Sequence, residues 1–375
     1  MKNRIGIVGG GQLGRMLALD AQKMGFTVRV VDPTPNGPAS QVGAQQIIGG
    51  YSDADATKKL AELSDFLTVE IEHINTATLS ELEKKGNKVN PSPKTIEIIK
   101  DKFQQKIYLQ KHQIPTADFI EVTTKEDIEK VAQKFGYPLV LKAKKDAFDG
   151  RGNALIKNKK GIESGLEKLK GRELYVEKFV PFIKELSVVI ARSTKGEVVT
   201  YPVVETIHKN NICHIVISPA PVDKKAAIKA EQLARNVLEH LKGAGVFAVE
   251  MFVTKKGEVL VNEIAPRVHN SGHLTIEAND TSQFEQHIRA ITGLPLGSTQ
   301  LKVPAAVMIN ILGERIGPVD VTGLEKVLNI PGVHVHIYGK SDTKVDRKMG
   351  HITVIDQTVE KALQKAKKAR KLLSI

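Results

Sequence analysis

Glu250, Asn262, Glu263, Arg267, His269 and His273 all fall within residues 250–273, and these residue types can hold a cation against an anion. Glu250 sits in one apolar alternation (Val246, Ala248, Met251 to Val253), and Asn262-Glu263 closes a second one, Val259-Leu260-Val261. Thr254-Lys255-Lys256-Gly257 lies between them, which is a β-hairpin signal. Such a hairpin sets Glu250 opposite the Asn262-Glu263 end, with facing residues roughly 5 Å apart at Cα. Two carboxylates and an amide oxygen are hard ligands suited to Mg²⁺, with Mn²⁺ as a substitute. Taken alone, the same glutamates read as solvated edge-strand side chains. Arg267, His269, Asn270, Ser271 and His273 directly behind them favour a metal–anion site, with Glu250, Glu263 and Asn262 as its ligands.

Further chemistry lies upstream. The apolar strand Leu139 to Leu141 ends at Lys142, and the polar loop Asp146-Ala-Phe148-Asp149-Gly150-Arg151-Gly152-Asn153 follows. A lysine at a strand end beside a glycine loop can hold phosphates by charge while backbone N–H groups cover them. Glu177-Lys178-Phe179-Val180-Pro181 then links two strands. As a connector between lobes it can hydrogen-bond an adenine edge, leaving Glu185 for a ribose hydroxyl; as an ordinary edge strand it is merely capped by Pro181.

The elements that must position these groups fall into three parts. Residues 1–93 read as a Rossmann-like domain: strand Arg4 to Val8, glycine turn Gly9 to Gly14, helix Met16 to Met24, strand Thr27 to Val31 ending at Asp32, and a third strand, Phe66 to Thr68. The turn is formally G-x-G-x-x-G, but such glycines equally serve tight packing, and no later segment supplies hydride chemistry. Glu70, Glu72 and His73 follow the third strand. They stand either where open α/β sheets place ligands or as N-capping acids for a helix at Thr78 to Lys84. Pro91-Ser92-Pro93 marks the boundary to residues 94–295, within which 115–176 form a smaller subdomain. Residues 296–375 read as a small α+β unit closed by a helix with Val359, Ala362, Leu363, Ala366, Ala369 and Leu373 on one face.

Composition bounds the partners. The chain has 375 residues, 41% hydrophobic and 26% charged, with a net charge of +13, so several domains and no extensive disorder are expected. The lysines are dispersed and only 5% of residues are aromatic, which argues against nucleic acid and for an anion-binding cleft. With no long apolar run, no signal segment and one cysteine, Cys213, in a strand-like Ile-Cys-His-Ile context, a cytoplasmic protein without membrane contact is expected.

In this order, Lys142, Asp149-Gly150-Arg151-Gly152, Glu177-Lys178, Glu185, Glu250 and Glu263 resemble the ATP-grasp enzymes. Within them the chain is similar to the 5-(carboxyamino)imidazole ribonucleotide synthetase family. The matching runs are GGGQLGRM at 9–16, VEIEHI at 69–74, FDGRG at 148–152, NEIAPRVHNSGH at 262–273, and YGK at 338–340 with RKMGH at 347–351. Phe148 departs from the tyrosine frequent in that family. The resemblance implies a three-domain α/β and α+β fold, with Rossmann-like, ATP-grasp and small C-terminal domains. It implies a homodimer that carboxylates 5-aminoimidazole ribonucleotide with ATP and bicarbonate through carboxyphosphate, and a transient downstream mutase partner. On it, Lys102, Lys142, Asp149, Gly150, Arg151, Gly152, Glu177, Lys178, Phe179, Val180, Glu185, His208, Asn262 and Glu263 hold ATP. Gly11, Gln12, Leu13, Glu72, Phe148, Asp149, Arg151, Arg267, His269, Asn270, Ser271, Lys340 and Arg347 face the other substrates, and Asp149, Arg267, His269 and Lys340 are catalytic. Without it, Lys340 and Arg347 read as loop charges and His269 as a polar loop residue. His73, His214 and His273 have no assigned role, and the spacing of His208, His214 and His273 resembles no metal-ligand set.

Three rivals remain at this level. One is another ATP-grasp ligase, such as a formate-dependent glycinamide ribonucleotide transformylase or a biotin carboxylase. The second is a nicotinamide-dependent oxidoreductase built on Gly9 to Gly14, and the third a nucleic-acid-binding protein.

Overall fold

The computed structural model describes residues 3–145 and 152–375. Its first sheet is parallel: β1 (Arg4–Val8), β2 (Thr27–Asp32), β3 (Gln45–Ile48) and β4 (Phe66–Val69) in the order β3-β2-β1-β4. Sequence reading expects three strands here. The one it lacks, β3, begins with two glutamines and lies at the sheet edge, so it carries little apolar alternation. Helix Thr76–Lys84 is capped by Asn75, whose side chain accepts from Thr78 N–H at 3.1 Å, so capping there does not fall to Glu70 or Glu72. Ser92 caps helix Pro93–Lys100, with proline at its first position, and Asp101 caps helix Lys102–Lys111 through two N–H bonds.

A small antiparallel sheet comes next: β5 (Phe119–Val122), β6 (Leu139–Ala143), β7 (Asn153–Ile156) and β8 (Leu174–Lys178), in the order β5-β8-β6-β7. Helices Lys125–Phe135 and Gly161–Lys168 pack on it over a core of Ile128, Val131, Leu139, Leu141, Ile156, Ile162 and Val176.

The third sheet dominates the molecule. It contains β9 (Phe182–Arg192), β10 (Val198–Thr200), β11 (Val204–Lys209), β12 (Ile212–Ser218), β13 (Gly245–Thr254), β14 (Val259–Ala265) and β15 (Ala305–Leu312). A separate two-residue pair, β16 (Gly317–Pro318) and β18 (Asp342–Thr343), flanks β17 (Val333–Ile337), and β19 (Lys348–Asp356) completes the set. The order is β14-β13-β9-β11-β12-β15-β19-β17, with β10 beside β9. The C-terminal strands thus continue the central sheet, because β15 pairs with β12 from Ile215↔Ile309 to Ser218↔Ala306. Helix Lys224–Leu241 lays Ala230, Leu233, Ala234, Val237 and Leu238 on this sheet against Val188, Ile190, Phe247 and Val249. Each fully buried side chain of leucine or valine size contributes about 1.5–3 kcal/mol, so the sheet that carries the site is firmly backed.

Candidate functional site

The hairpin has the expected register: Glu250 pairs with Glu263, and a bulge follows Glu250. Bulges re-aim side chains, and here one lies beside two carboxylates brought together on one sheet face. Burial raises the Glu250 carboxyl to about 7, and the neighbouring Glu263 charge adds to the effect. Burial also opposes ionisation of Glu263, but Lys102 and Lys142 outweigh it and hold that carboxyl below its ordinary value. Lys102 Nζ lies 3.2 Å from Glu263 Oε2. One carboxylate of the pair is therefore neutralised by lysine, and the other lacks sufficient positive charge beside it.

Lys142, at the end of β6, reaches Glu177 Oε2 at 2.8 Å and Asn262 Oδ1 at 3.4 Å. The other Glu177 oxygen takes Lys106 Nζ at 3.1 Å, and Lys106 also donates to Thr116 Oγ1 at 2.7 Å. Burial drives the Lys106 ammonium down to about 8, and Glu177 opposes this. The Glu177 carboxylate is thus enclosed by two lysines. Sequence reasoning missed Lys106 although a signal exists: it stands four residues after Lys102 on one helix and so shares its face. Lys178 is exposed, 4.0 Å from Asp118 Oδ2, and Phe179 and Val180 are half-buried between β8 and β9. Glu185 meets His208 Nδ1 at 3.2 Å. Burial opposes protonation of His208, but Glu185 raises its pKa. Gly152 lies just before β7, whereas Phe148, Asp149, Gly150 and Arg151 lie outside the described residues.

Beyond β14 the chain turns back over the sheet. Arg267 Nη2 pairs with Glu72 Oε1 at 3.1 Å and Nη1 donates to Val268 O at 3.1 Å; among the described residues the buried Nε has no partner. His269 Nε2 lies 3.5 Å from Glu250 Oε1. Its Nδ1 accepts the Ser271 backbone N–H at 3.3 Å and is 2.9 Å from Ser271 Oγ, which meets Ser187 Oγ at 2.8 Å. An Nδ1 that accepts a backbone N–H carries no proton, so His269 is the Nε2–H tautomer. Burial, helped by Arg267, holds its pKa well below the ordinary value. Asn270 and Asn310 exchange amide hydrogen bonds at 3.0 and 2.6 Å, fixing the loop to β15.

The glycine turn is filled from within. The Glu70 carboxylate accepts from Gly11 N–H at 2.6 Å and from Gly14 N–H, at the start of helix Gln12–Lys23. Asp32 accepts from Gly10 N–H at 2.9 Å, Thr34 N–H at 2.8 Å and Tyr51 OH at 3.2 Å. The N–H groups that would bind a dinucleotide pyrophosphate therefore face the protein's own carboxylates. A Cβ on Gly11 would lie 2.7 Å from Glu70 Oε1, so glycine here serves that close approach. Leu13 is buried in the core against Val30 and Tyr338, while Gln12 accepts from Lys340 Nζ at 2.7 Å. Lys340 also donates to Lys348 O at 2.6 Å, and Arg347 to Asp342 O at 2.7 Å. Gln41 donates to Gly339 O at 2.7 Å and so docks this C-terminal turn on the first domain. His273 lies in a buried ring cluster, 5.0 Å from His351.

Among the described residues no three His, Cys, Asp or Glu side chains form a metal-binding group. Glu250, Glu263 and Asn262 suit an ion whose remaining ligands are phosphate oxygens and water, which is how Mg²⁺ is commonly held in nucleotide sites. No helix among them is long and apolar enough to cross a membrane.

Family models match along the chain. Residues 1–100 match a ribonucleotide synthetase preATP-grasp domain, 107–284 an ATP-grasp domain, and 306–365 a phosphoribosylaminoimidazole carboxylase C-terminal domain. The crystal structure of N5-carboxyaminoimidazole ribonucleotide synthetase from Thermotoga maritima is 49% identical, with a TM-score of 0.91, over 99% of both chains. The N5-carboxyaminoimidazole synthase from Aspergillus clavatus, in complex with ADP and 5-aminoimidazole ribonucleotide, is 38% identical, with a TM-score of 0.93, over 99% of this chain and 98% of that one. Phosphoribosylaminoimidazole carboxylase of Candida albicans is 44% identical over 96% of this chain, which spans 65% of that longer protein.

Proposed function

The chain belongs to the N5-carboxyaminoimidazole ribonucleotide synthetase family of ATP-grasp ligases, and from that premise we propose its reaction. ATP and bicarbonate carboxylate the exocyclic amine of 5-aminoimidazole ribonucleotide, giving N5-carboxyaminoimidazole ribonucleotide, ADP and phosphate in purine biosynthesis. One observation carries the reading. Glu263 and the Arg267–Ser271 loop follow one another along β14 and its exit, so the phosphate end of ATP and an anion-binding turn are neighbours.

Bicarbonate is a poor electrophile, and phosphoryl transfer to it makes its carbon attackable by an amine. That transfer asks the protein for positioning and charge compensation. Lys102 and Lys142 supply positive charge to the phosphates, and Glu177 and Lys106 fix Lys142 in place. Glu250, Glu263 and Asn262 would hold Mg²⁺, which neutralises phosphate charge when bound; Mn²⁺ has the same ligand preference. Arg267 presents a guanidinium to bicarbonate, with Glu72 fixing one of its faces. His269 offers an Nε2–H to the developing carboxyl oxygens. Lys340, which donates to Gln12 of the first domain, and Arg347, which donates to Asp342 O, suit the 5′-phosphate of the acceptor. Asp149 and Arg151 enter by resemblance. A homodimer, a cytoplasmic setting and transient transfer to a downstream mutase belong to the same reading.

The test is phosphate release from MgATP and bicarbonate with either 5-aminoimidazole ribonucleotide or formate plus glycinamide ribonucleotide added. Stimulation by the imidazole substrate alone is expected, and its absence overturns the assignment.

A further inference from the structure

Gln283 is the first residue of helix Gln283–Thr292 and is fully buried. Its Oε1 accepts the His269 backbone N–H at 2.9 Å, and its Nε2 donates to His269 O at 2.8 Å. Nε2 also lies 3.0 Å from His273 Nδ1. One side-chain amide therefore pairs with both polar groups of the His269 backbone, as a neighbouring strand would. Because Oε1 faces an N–H and Nε2 a carbonyl, the amide has a single satisfactory orientation. Gly272 makes the approach possible, since a Cβ there would lie 2.6 Å from Gln283 Cδ. Thr275 Oγ1 accepts the Gln283 N–H at 2.9 Å and donates to Gly272 O at 2.6 Å, which locks the start of the helix to the same turn.

Gln105 makes the same arrangement one step upstream. Its Oε1 accepts Ile264 N–H at 2.8 Å and its Nε2 donates to Ile264 O at 3.1 Å, directly after Glu263. The segment from the metal ligand to the histidine thus hangs between two buried amides. Ile264 is still paired with Val249 on one side, so Gln105 closes the free edge of β14, and past Ala265, where the ladder ends, Gln283 takes its place at His269.

We infer that Gln283 is a positioning residue for the carboxylation step, holding the His269 backbone so that the imidazole keeps its Nε2 beside Glu250, 3.5 Å away, where the proposed metal and bicarbonate positions meet. This rests on the reaction proposed above. Gln283 touches no substrate and acts through His269. Its loss should lower kcat and leave ATP binding intact, because the ATP-facing Lys102, Lys142 and Glu263 are held by other elements.

The test compares Gln283→Leu, Gly272→Ala and His269→Asn by steady-state kinetics with 5-aminoimidazole ribonucleotide, with thermal melting and ADP binding as fold controls. Loss of alignment by about an ångström costs up to about 100-fold in rate. Gln283→Leu and Gly272→Ala should both lower kcat at least about tenfold while KM for ATP stays within about twofold. Wild-type kcat in Gln283→Leu, or parallel loss of kcat and ATP affinity, overturns the inference. Wild-type kcat in His269→Asn instead overturns the proposed role of His269. Should both Gln283→Leu and Gly272→Ala fail to fold, ¹⁵N NMR of the wild-type imidazoles decides. His269 must show a protonated Nε2 and an unprotonated Nδ1, and the opposite tautomer refutes the arrangement.

Discussion

Lowering the pH should unfold this protein through a histidine remote from catalysis. His287 is fully buried where helix Gln283–Thr292 meets the first domain. Its Nδ1 accepts Val246 N–H at 3.0 Å, which forces the proton onto Nε2 for donation to Thr68 Oγ1 at 2.7 Å. Protonating Nδ1 would break the first bond and place a charge in apolar surroundings. Burial accordingly drives the pKa from the ordinary 6.5 to about 3. In the unfolded chain the ring takes a proton near pH 6.5 while the native ring does not. The stabilising contribution is therefore complete above about 6.5 and is lost as pH falls toward about 3. Each pH unit in that window costs about 1.4 kcal/mol, or roughly 2 kcal/mol between pH 6.5 and 5. His269, His273 and His351 are displaced in the same direction by burial and steepen the loss. Urea unfolding midpoints measured from about pH 7.5 down to about pH 5 should fall progressively below about 6.5. NMR should show the His287 ring neutral with Nδ1 unprotonated throughout the folded range. A flat midpoint, or a His287 ring that titrates near 6.5 in the folded protein, would refute the reasoning.

Two further outcomes are expected at the site. Glu263→Gln leaves Lys102 without its carboxylate and removes one of the two carboxylates proposed for the metal, so ATP turnover should be lost while the thermal melt is preserved; turnover retained at saturating Mg²⁺ would mean the metal lies elsewhere. Lys340→Ala removes a cation that Gln12 and Lys348 O hold in place, and KM for the ribonucleotide should rise about tenfold or more with kcat little changed, as for loss of uniform binding. An unchanged KM would exclude Lys340 from the phosphate pocket.

What could be read in the sequence was local. The register of Glu250 with Glu263 follows from alternation on both sides of a short turn, and the structure has that register. The C-terminal strands are legible as strands, but their attachment to β12 is not, since that edge lies almost 100 residues upstream and no local pattern encodes it. The glycine turn shows the same limit. Its spacing spells a phosphate loop, yet the carboxylate that fills it stands 56 residues beyond Gly14, and only the fold brings Glu70 there. Glutamines such as Gln105 and Gln283 carry no periodic signal, because their task is set by the backbone N–H and C=O of one residue each, Ile264 and His269, on another element.

The continuous sheet has a mechanical consequence. From the carboxylates on β13 and β14 to the strands that flank the Lys340 turn, every step is a hydrogen-bonded ladder. The Glu250–Glu263 pair and the Lys340 turn, proposed above for the metal and for the acceptor's phosphate, are thus spaced by one continuous ladder. The same ladder makes the chain from β15 onward indispensable. A protein cut before β15 would bare the β12 edge from Ile215 to Ser218, an unpaired apolar strand of the kind that recruits other chains. Such a truncation would aggregate rather than survive as a smaller ATPase.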